Sequence, residues 1–122
     1  MSRVVHFDLS SDDPQRAVDF YRQLFGWKVE RWAGPADYWL LTTGDAAQPG
    51  ITCGIARRIA SGDSTAAVYD VVSVDEAAAR VVVCGGSIRE PPQRLPGVGL
   101  LVACRDTEGN TFCLLQPEAA AQ

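Results

Sequence analysis

Histidine is almost missing from this chain: there is one, His6, in 122 residues. A metal centre built from several imidazoles is thereby excluded, and any ligand set around His6 would have to be completed by carboxylates or thiols. No apolar run approaches the roughly 20 residues of a membrane span, and Met1-Ser2-Arg3 leads straight into a strand instead of a signal peptide. These absences predict a cytoplasmic protein with no membrane partner. Positive charge is also short, with 11 Lys and Arg against 15 Asp and Glu and a net charge of -4. A nucleic-acid partner, which calls for a basic face, is not expected. The chain has no G-x-S-x-G elbow and no phosphate loop, and Gly97-Val98-Gly99 lacks both a third glycine and a following helix. Its four cysteines, Cys53, Cys84, Cys104 and Cys113, have no CxxC spacing and are expected to be reduced thiols.

What is present is an ordinary globular composition, 47% hydrophobic and 21% charged, in a length that suits a single domain over residues 1–122. Val4 to Leu9 alternates as a strand. Asp12-Asp13-Pro14 then supplies a polar cap and an early helical proline, and Ala17, Phe20, Tyr21, Leu24 and Phe25 follow at helical spacing up to the stop at Gly26. Strands are predicted at Trp27 to Trp32, Tyr38 to Thr43 and Ile51 to Ala56, with a turn at Gly34-Pro35-Ala36. After a polar linker the order returns: a strand from Ala66 to Val72, an Ala-rich helix from Val74 to Cys84 entered through Ser73 and ended by Gly85-Gly86, then strands at Ser87 to Glu90, Gly99 to Cys104 and Thr111 to Gln116. The reading is two β-α-β-β-β modules, about 1–58 and about 66–118, joined by a linker at about 59–65. A shift of 62 sets Asp8 on Asp70 and His6 on Val68. One module alone has too few half-buried strands to close a core, so an α+β fold of paired modules in a cupped mixed sheet is expected.

The opening His6-Phe7-Asp8-Leu9-Ser10-Ser11-Asp12-Asp13-Pro14-Gln15-Arg16-Ala17-Val18-Asp19-Phe20-Tyr21, the following Leu24-Phe25-Gly26-Trp27 and the closing Asp106-Thr107-Glu108-Gly109-Asn110-Thr111-Phe112 resemble the vicinal oxygen chelate superfamily of glyoxalases, bleomycin resistance proteins and dioxygenases. The resemblance covers nearly the whole chain and implies the glyoxalase/bleomycin resistance/dioxygenase-like fold. In that family the enzymes hold a divalent metal inside the cup, with ligands from the first and last strands of each module. The resemblance places His6 at the first ligand position, Val68 at its counterpart, and Cys113 where the enzymes commonly carry Glu. Ile51-Thr52-Cys53-Gly54 stands on the remaining strand without a carboxylate. Magnesium and manganese prefer oxygen ligands, and a catalytic zinc usually has three protein ligands. His6 and Cys113 are therefore only weak metal candidates, with Cys53 or Cys104 as the further thiol of a His-Cys-Cys site, and no cofactor is assigned beyond a possible divalent metal.

Strand alternation puts Val4, His6 and Asp8 on one face, together with Val68, Asp70, Cys113 and Leu115, while Phe7, Leu9, Tyr69, Phe112 and Leu114 turn to the helices. His6 is either a remnant of the metal site or a proton donor and acceptor at the cavity wall. Asp8 either orients His6 or serves as a strand-end carboxylate. One of Tyr38 and Trp39 must face inward, where an aromatic wall suits a flat or cationic molecule. Cys104 is expected opposite Cys113. The expected ligand-binding set is His6, Asp8, Trp39, Thr52, Asp70, Cys104 and Cys113, with His6 the catalytic candidate. The function this implies is small-molecule binding in the cup, with a degenerate metal site, by a homodimer like the antibiotic-binding members. The alternatives are a glyoxalase-like or dioxygenase-like metalloenzyme and a metal-free isomerase using His6.

Overall fold

In the computed structural model, residues 2–34, 37–45, 47, 49–58 and 65–118 are described. The expected linker at 59–65 lies outside them apart from Thr65, as do Pro35 and Ala36 of the first expected turn. Two compact units are present, one formed by His6–Thr65 and the other by Ala66–Gln122 with Met1–Val5. The expected boundary gave the first residues to the opening module. Asp70 explains the difference: its N–H donates to the Arg3 carbonyl at 3.1 Å and its Oδ1 accepts the Arg3 N–H at 2.7 Å, which fixes the N-terminal segment to the second unit.

The first unit runs β1 (Val4–Ser11), α1 (Pro14–Phe25), β2 (Lys28–Arg31), β3 (Tyr38–Thr42) and β4 (Thr52–Arg57). Asp13 caps α1 by accepting the Arg16 N–H at 3.2 Å, and Pro14 opens the helix where its missing N–H costs nothing. Gly26 ends it at φ 71°, in the left-handed region, with its N–H on the Arg22 carbonyl. β1 lies parallel to β4, β4 antiparallel to β3, and β3 antiparallel to β2. Val18, Leu41, Cys53 and Ile55 form the core of this unit, and Phe7, Leu9, Tyr21, Trp27 and Trp39 pack against it. The alternation read from β1 holds, since Phe7 and Leu9 face α1 and leave His6 and Asp8 on the other side of the sheet.

The second unit runs β5 (Ala66–Asp70), α2 (Val74–Val83), β6 (Ser87–Ile88), β7 (Gln93–Leu95), β8 (Gly99–Arg105) and β9 (Thr111–Pro117). Ser73 caps α2 through the Glu76 N–H at 3.2 Å. β5 is parallel to β9, β9 antiparallel to β8, and both β6 and β7 pair with β8. Strand β7 is additional to the strands expected from sequence. Its hairpin is nevertheless encoded locally: Leu95-Pro96-Gly97-Val98 has proline second and glycine third, Gly97 takes φ 76°, and the Val98 N–H closes on the Leu95 carbonyl at 3.0 Å. That is the sequence requirement of a type II turn. The core here is Val74, Val102, Cys104 and Leu114, flanked by Tyr69, Val71, Ala77 and Phe112.

All four cysteines are free thiols, three of them buried and Cys84 exposed. Burial, with a smaller contribution from the negative charge of Asp8, pushes the Cys53 thiol up to about 12, and burial raises Cys104 as well. A thiol held neutral in the fold but ionisable at 9.0 when released makes stability complete below pH 9 and progressively lost as the pH climbs towards 12. Urea titrations at a series of pH values should therefore show falling stability above pH 9, with a shallower fall in Cys53→Ala. At neutral pH that variant should be less stable by about 1–2 kcal/mol for the cavity it leaves.

Candidate functional site

His6 on β1 and Thr52 on β4 are direct neighbours across the parallel ladder, as are Asp8 and Gly54. The ladder therefore stacks two polar side chains, an imidazole and a carboxylate on one strand, beside a hydroxyl and a bare backbone on the next. Thr52 Oγ1 lies 2.7 Å from His6 Nδ1. On the other side of the ring, Nε2 is 2.9 Å from Asp8 Oδ1 and 2.6 Å from the Tyr38 hydroxyl. Tyr38 closes the triangle by donating to Asp8 Oδ1 at 2.7 Å. The His6 and Asp8 side chains retain 15% and 27% of their exposure, so the group lies at a wall and not deep in the core.

Proton counting assigns the tautomer. Were Nε2 unprotonated, its lone pair would face the Asp8 oxygen at 2.9 Å with no hydrogen between them, so Nε2 carries the hydrogen and shares it between Asp8 and Tyr38. In the neutral ring Nδ1 then accepts the Thr52 hydroxyl proton. In the imidazolium Nδ1 donates to the same oxygen. Either way both ring nitrogens are satisfied by this chain's own groups.

Glycine at position 54 makes the arrangement possible. A Cβ there would overlap the Tyr38 hydroxyl and ring and crowd Asp8 Oδ1. Tyr38 reaches across the vacated space from β3. Its position is held from outside by the neighbouring Asp37, whose carboxylate takes Arg31 at 3.0 Å and Arg57 at 3.0 Å. The edge of Trp32 meets the Tyr38 ring at 6.2 Å between centroids, which adds a second aromatic surface beside the polar triangle.

Of the residues expected from sequence, the structure brings together His6, Asp8 and Thr52. Trp39 is not with them: it packs on the α1 side against the cluster of Val18, Leu41, Cys53 and Ile55, with the Arg31 guanidinium over its ring at 4.9 Å. Strand parity left Tyr38 and Trp39 as alternatives, and the amphipathic demand of α1 for an apolar sheet face took the tryptophan. Asp70 belongs to the other unit and uses Oδ1 on the Arg3 backbone. Cys104 corrects the expected register: it lies opposite Phe112, while Cys113 pairs with Ala103. A shift of one residue moves a strand side chain to the other face, so Cys104 joins the helix-side core and not Cys113. Cys113 sits beside Val68 on β5, within the second unit. Tyr38, the residue that closes the network, was weighed for the inner face but not chosen, and Gly54 inside an apolar strand was the available signal for a close approach.

The glyoxalase/bleomycin resistance protein/dioxygenase superfamily model matches residues 3–114, and the chain belongs to that superfamily. No curated protein matches it. Among solved structures, a variant of Streptomyces coelicolor methylmalonyl-CoA epimerase in complex with 2-nitronate-propionyl-CoA superposes with a TM-score of 0.74 at 17% identity, over 98% of this chain and 97% of that one. The methylmalonyl-CoA epimerase of Mycobacterium tuberculosis gives 0.71 at 13% identity, over 95% and 88%. A Legionella pneumophila structure described as an NAD-dependent benzaldehyde dehydrogenase gives 0.64 at 15%, over 93% and 98%. What these likenesses establish is the shared fold, on which unlike chemistries are carried.

Members of the family often use a divalent metal, and the residues here do not fit one. Asp8 is the sole carboxylate bonded to His6, the other two partners are neutral hydroxyls, and no cluster of three or more His, Cys, Asp and Glu suited to a metal occurs among the described residues. Binding through Nε2 would also require displacing both Asp8 and Tyr38.

Tyr38→Phe removes one donor from Asp8 and one acceptor from His6, and should destabilise the protein by about 1–2 kcal/mol in urea unfolding. Gly54→Ala should cost about 1–3 kcal/mol by overpacking. In the Tyr38→Ala background the same glycine change should cost much less, and equal costs in both backgrounds would show that Tyr38 does not fill that space.

Proposed function

We propose that this protein binds a small organic molecule, without a metal, on the sheet face of the first unit that carries His6, Asp8, Tyr38 and Thr52. The observation that supports the reading is the closed network itself: His6 is committed at both nitrogens, whereas Asp8 uses only Oδ1 for these bonds. Its second oxygen has no partner among the described residues and remains able to accept from a ligand. A carboxylate beside the Tyr38 and Trp32 rings suits a flat molecule bearing an ammonium or another strong donor. The degenerate metal position expected from the resemblance is, in this reading, a place taken by Tyr38. A homodimer in the cytoplasm is part of the same proposal, and the exposed Phe20, Leu24 and Phe25 of α1 offer apolar surface for a second copy.

A second reading, a metal-independent isomerase, draws on one feature. Asp8 on Nε2 is placed as an orienting carboxylate, which leaves Nδ1 as the basic nitrogen once the Thr52 hydroxyl turns away.

Metal analysis of protein purified without chelator, run in parallel on His6→Ala, separates these from a metalloenzyme. The expected result is less than stoichiometric metal in both, with a rise in Tm on adding an aromatic ammonium such as phenethylammonium that disappears in Asp8→Asn. Stoichiometric metal that is lost with His6 would overturn the proposal.

A further inference from the structure

A cleft lies far along the chain from His6, within the second unit, and no part of the reading above uses it. Its volume is about 520 Å3, inside the range of small-molecule sites. The sequence explains why it is open. Ala77, Arg80, Val81 and Cys84 recur at intervals of three, one and three, so they form a single stripe along α2. Three of the four are small, and against them stand Val71, just past β5, and Phe112 and Leu114 of β9. Short side chains on the helix facing a flat apolar sheet leave a gap that the helix cannot fill.

The Arg80 guanidinium in this gap has no bonded partner among the described residues. Glu76 stands one turn before Arg80, at the spacing that favours an ion pair, yet the Arg80 side chain makes neither an ion pair nor a hydrogen bond among the described residues. Arg105, which forms part of the same wall, has no ion pair either. The carboxylate at this end, Asp106, is tied into its own turn. It accepts the N–H groups of Glu108 and Asn110, each at 2.9 Å, and the Asn110 side chain at 3.1 Å, and these bonds hold it below the ordinary carboxylate range. Asp106 keeps its negative charge, so the wall carries two cations, Arg80 and Arg105, against one carboxylate, and the Arg80 guanidinium has no bonded partner among the described residues.

We infer that the cleft between α2 and β9 is a second binding site, taking a small amphipathic carboxylate whose apolar body lies on Val81, Phe112 and Leu114 and whose anionic end meets Arg80. The apolar lining selects for a hydrocarbon body, and the unpaired guanidinium selects the sign of the head group. Neutral and cationic molecules of the same shape lack the second interaction. The site lies wholly within one unit and is independent of His6.

Octanoate is the probe, with octan-1-ol and octylammonium as its neutral and cationic counterparts. Cys84 lines the cleft and is exposed, while Cys53, Cys104 and Cys113 are buried, so alkylation by N-ethylmaleimide followed by mass spectrometry reads occupancy directly. Octanoate should slow modification of Cys84 and raise Tm, and the other two compounds should do neither at the same concentration. Arg80→Gln, a surface change, should weaken octanoate by about fivefold, the scale of one exposed ion pair. Arg80→Lys should retain most of the affinity. Equal protection by octan-1-ol, or undiminished octanoate binding in Arg80→Gln, would overturn the inference and leave Arg80 as a complement to the C-terminal end of the helix dipole.

Discussion

An imidazole at the wall of a sheet must have both nitrogens satisfied, and the first unit is arranged around meeting that need for His6. Thr52 answers one nitrogen because the parallel β1–β4 register makes the two residues neighbours. Asp8 and Tyr38 answer the other, and they bond to each other as well. The requirement then propagates outward. Tyr38 can reach the triangle only if position 54 carries no side chain, and it is held in place by Asp37 between Arg31 and Arg57. A network of this kind is worth more than the sum of its pairs, since each bond polarises the next, and it leaves the second Asp8 oxygen open.

That network changes what the fold's resemblance to metalloenzymes means. The family supplies a scaffold on which one histidine stands at a familiar position. In this chain the neighbouring positions hold hydroxyls and one carboxylate, and the hydroxyl of Tyr38 stands where an approach to Nε2 would have to be made. The chemistry these four side chains supply is that of hydrogen bonding and proton exchange. Polarisation of a substrate oxygen by a cation is not what these donors are arranged to support.

Much of this was legible from sequence because the signals are local. Asp13-Pro14 and Gly26 bound α1 within a residue of expectation, Ser73 caps α2, and period-two alternation placed His6 and Asp8 opposite Phe7 and Leu9. Two departures share one cause, that strand parity has two solutions and sequence alone does not choose between them. Trp39 went to the helix side and released Tyr38 to the site. Cys104 went to the core through a one-residue difference in how β8 meets β9. Asp70 reads as the partner of Asp8 by repeat symmetry, yet its carboxylate is committed to the Arg3 backbone, an interaction across 67 residues that no local pattern announces. Strand β7 is a different case: the Leu95-Pro96-Gly97-Val98 turn is present in the sequence, but the strand before it has only three residues and carries too short an alternation to read.

Because His6 is the only histidine, its ring can be observed without assignment ambiguity, and nitrogen-15 NMR of the imidazole tests the central claim most directly. In the neutral ring the account predicts a hydrogen on Nε2, an Nδ1 that accepts from Thr52, and no change in either resonance when zinc is added at stoichiometric concentration. A ring protonated at Nδ1, with an Nε2 resonance that moves on addition of zinc, would contradict it.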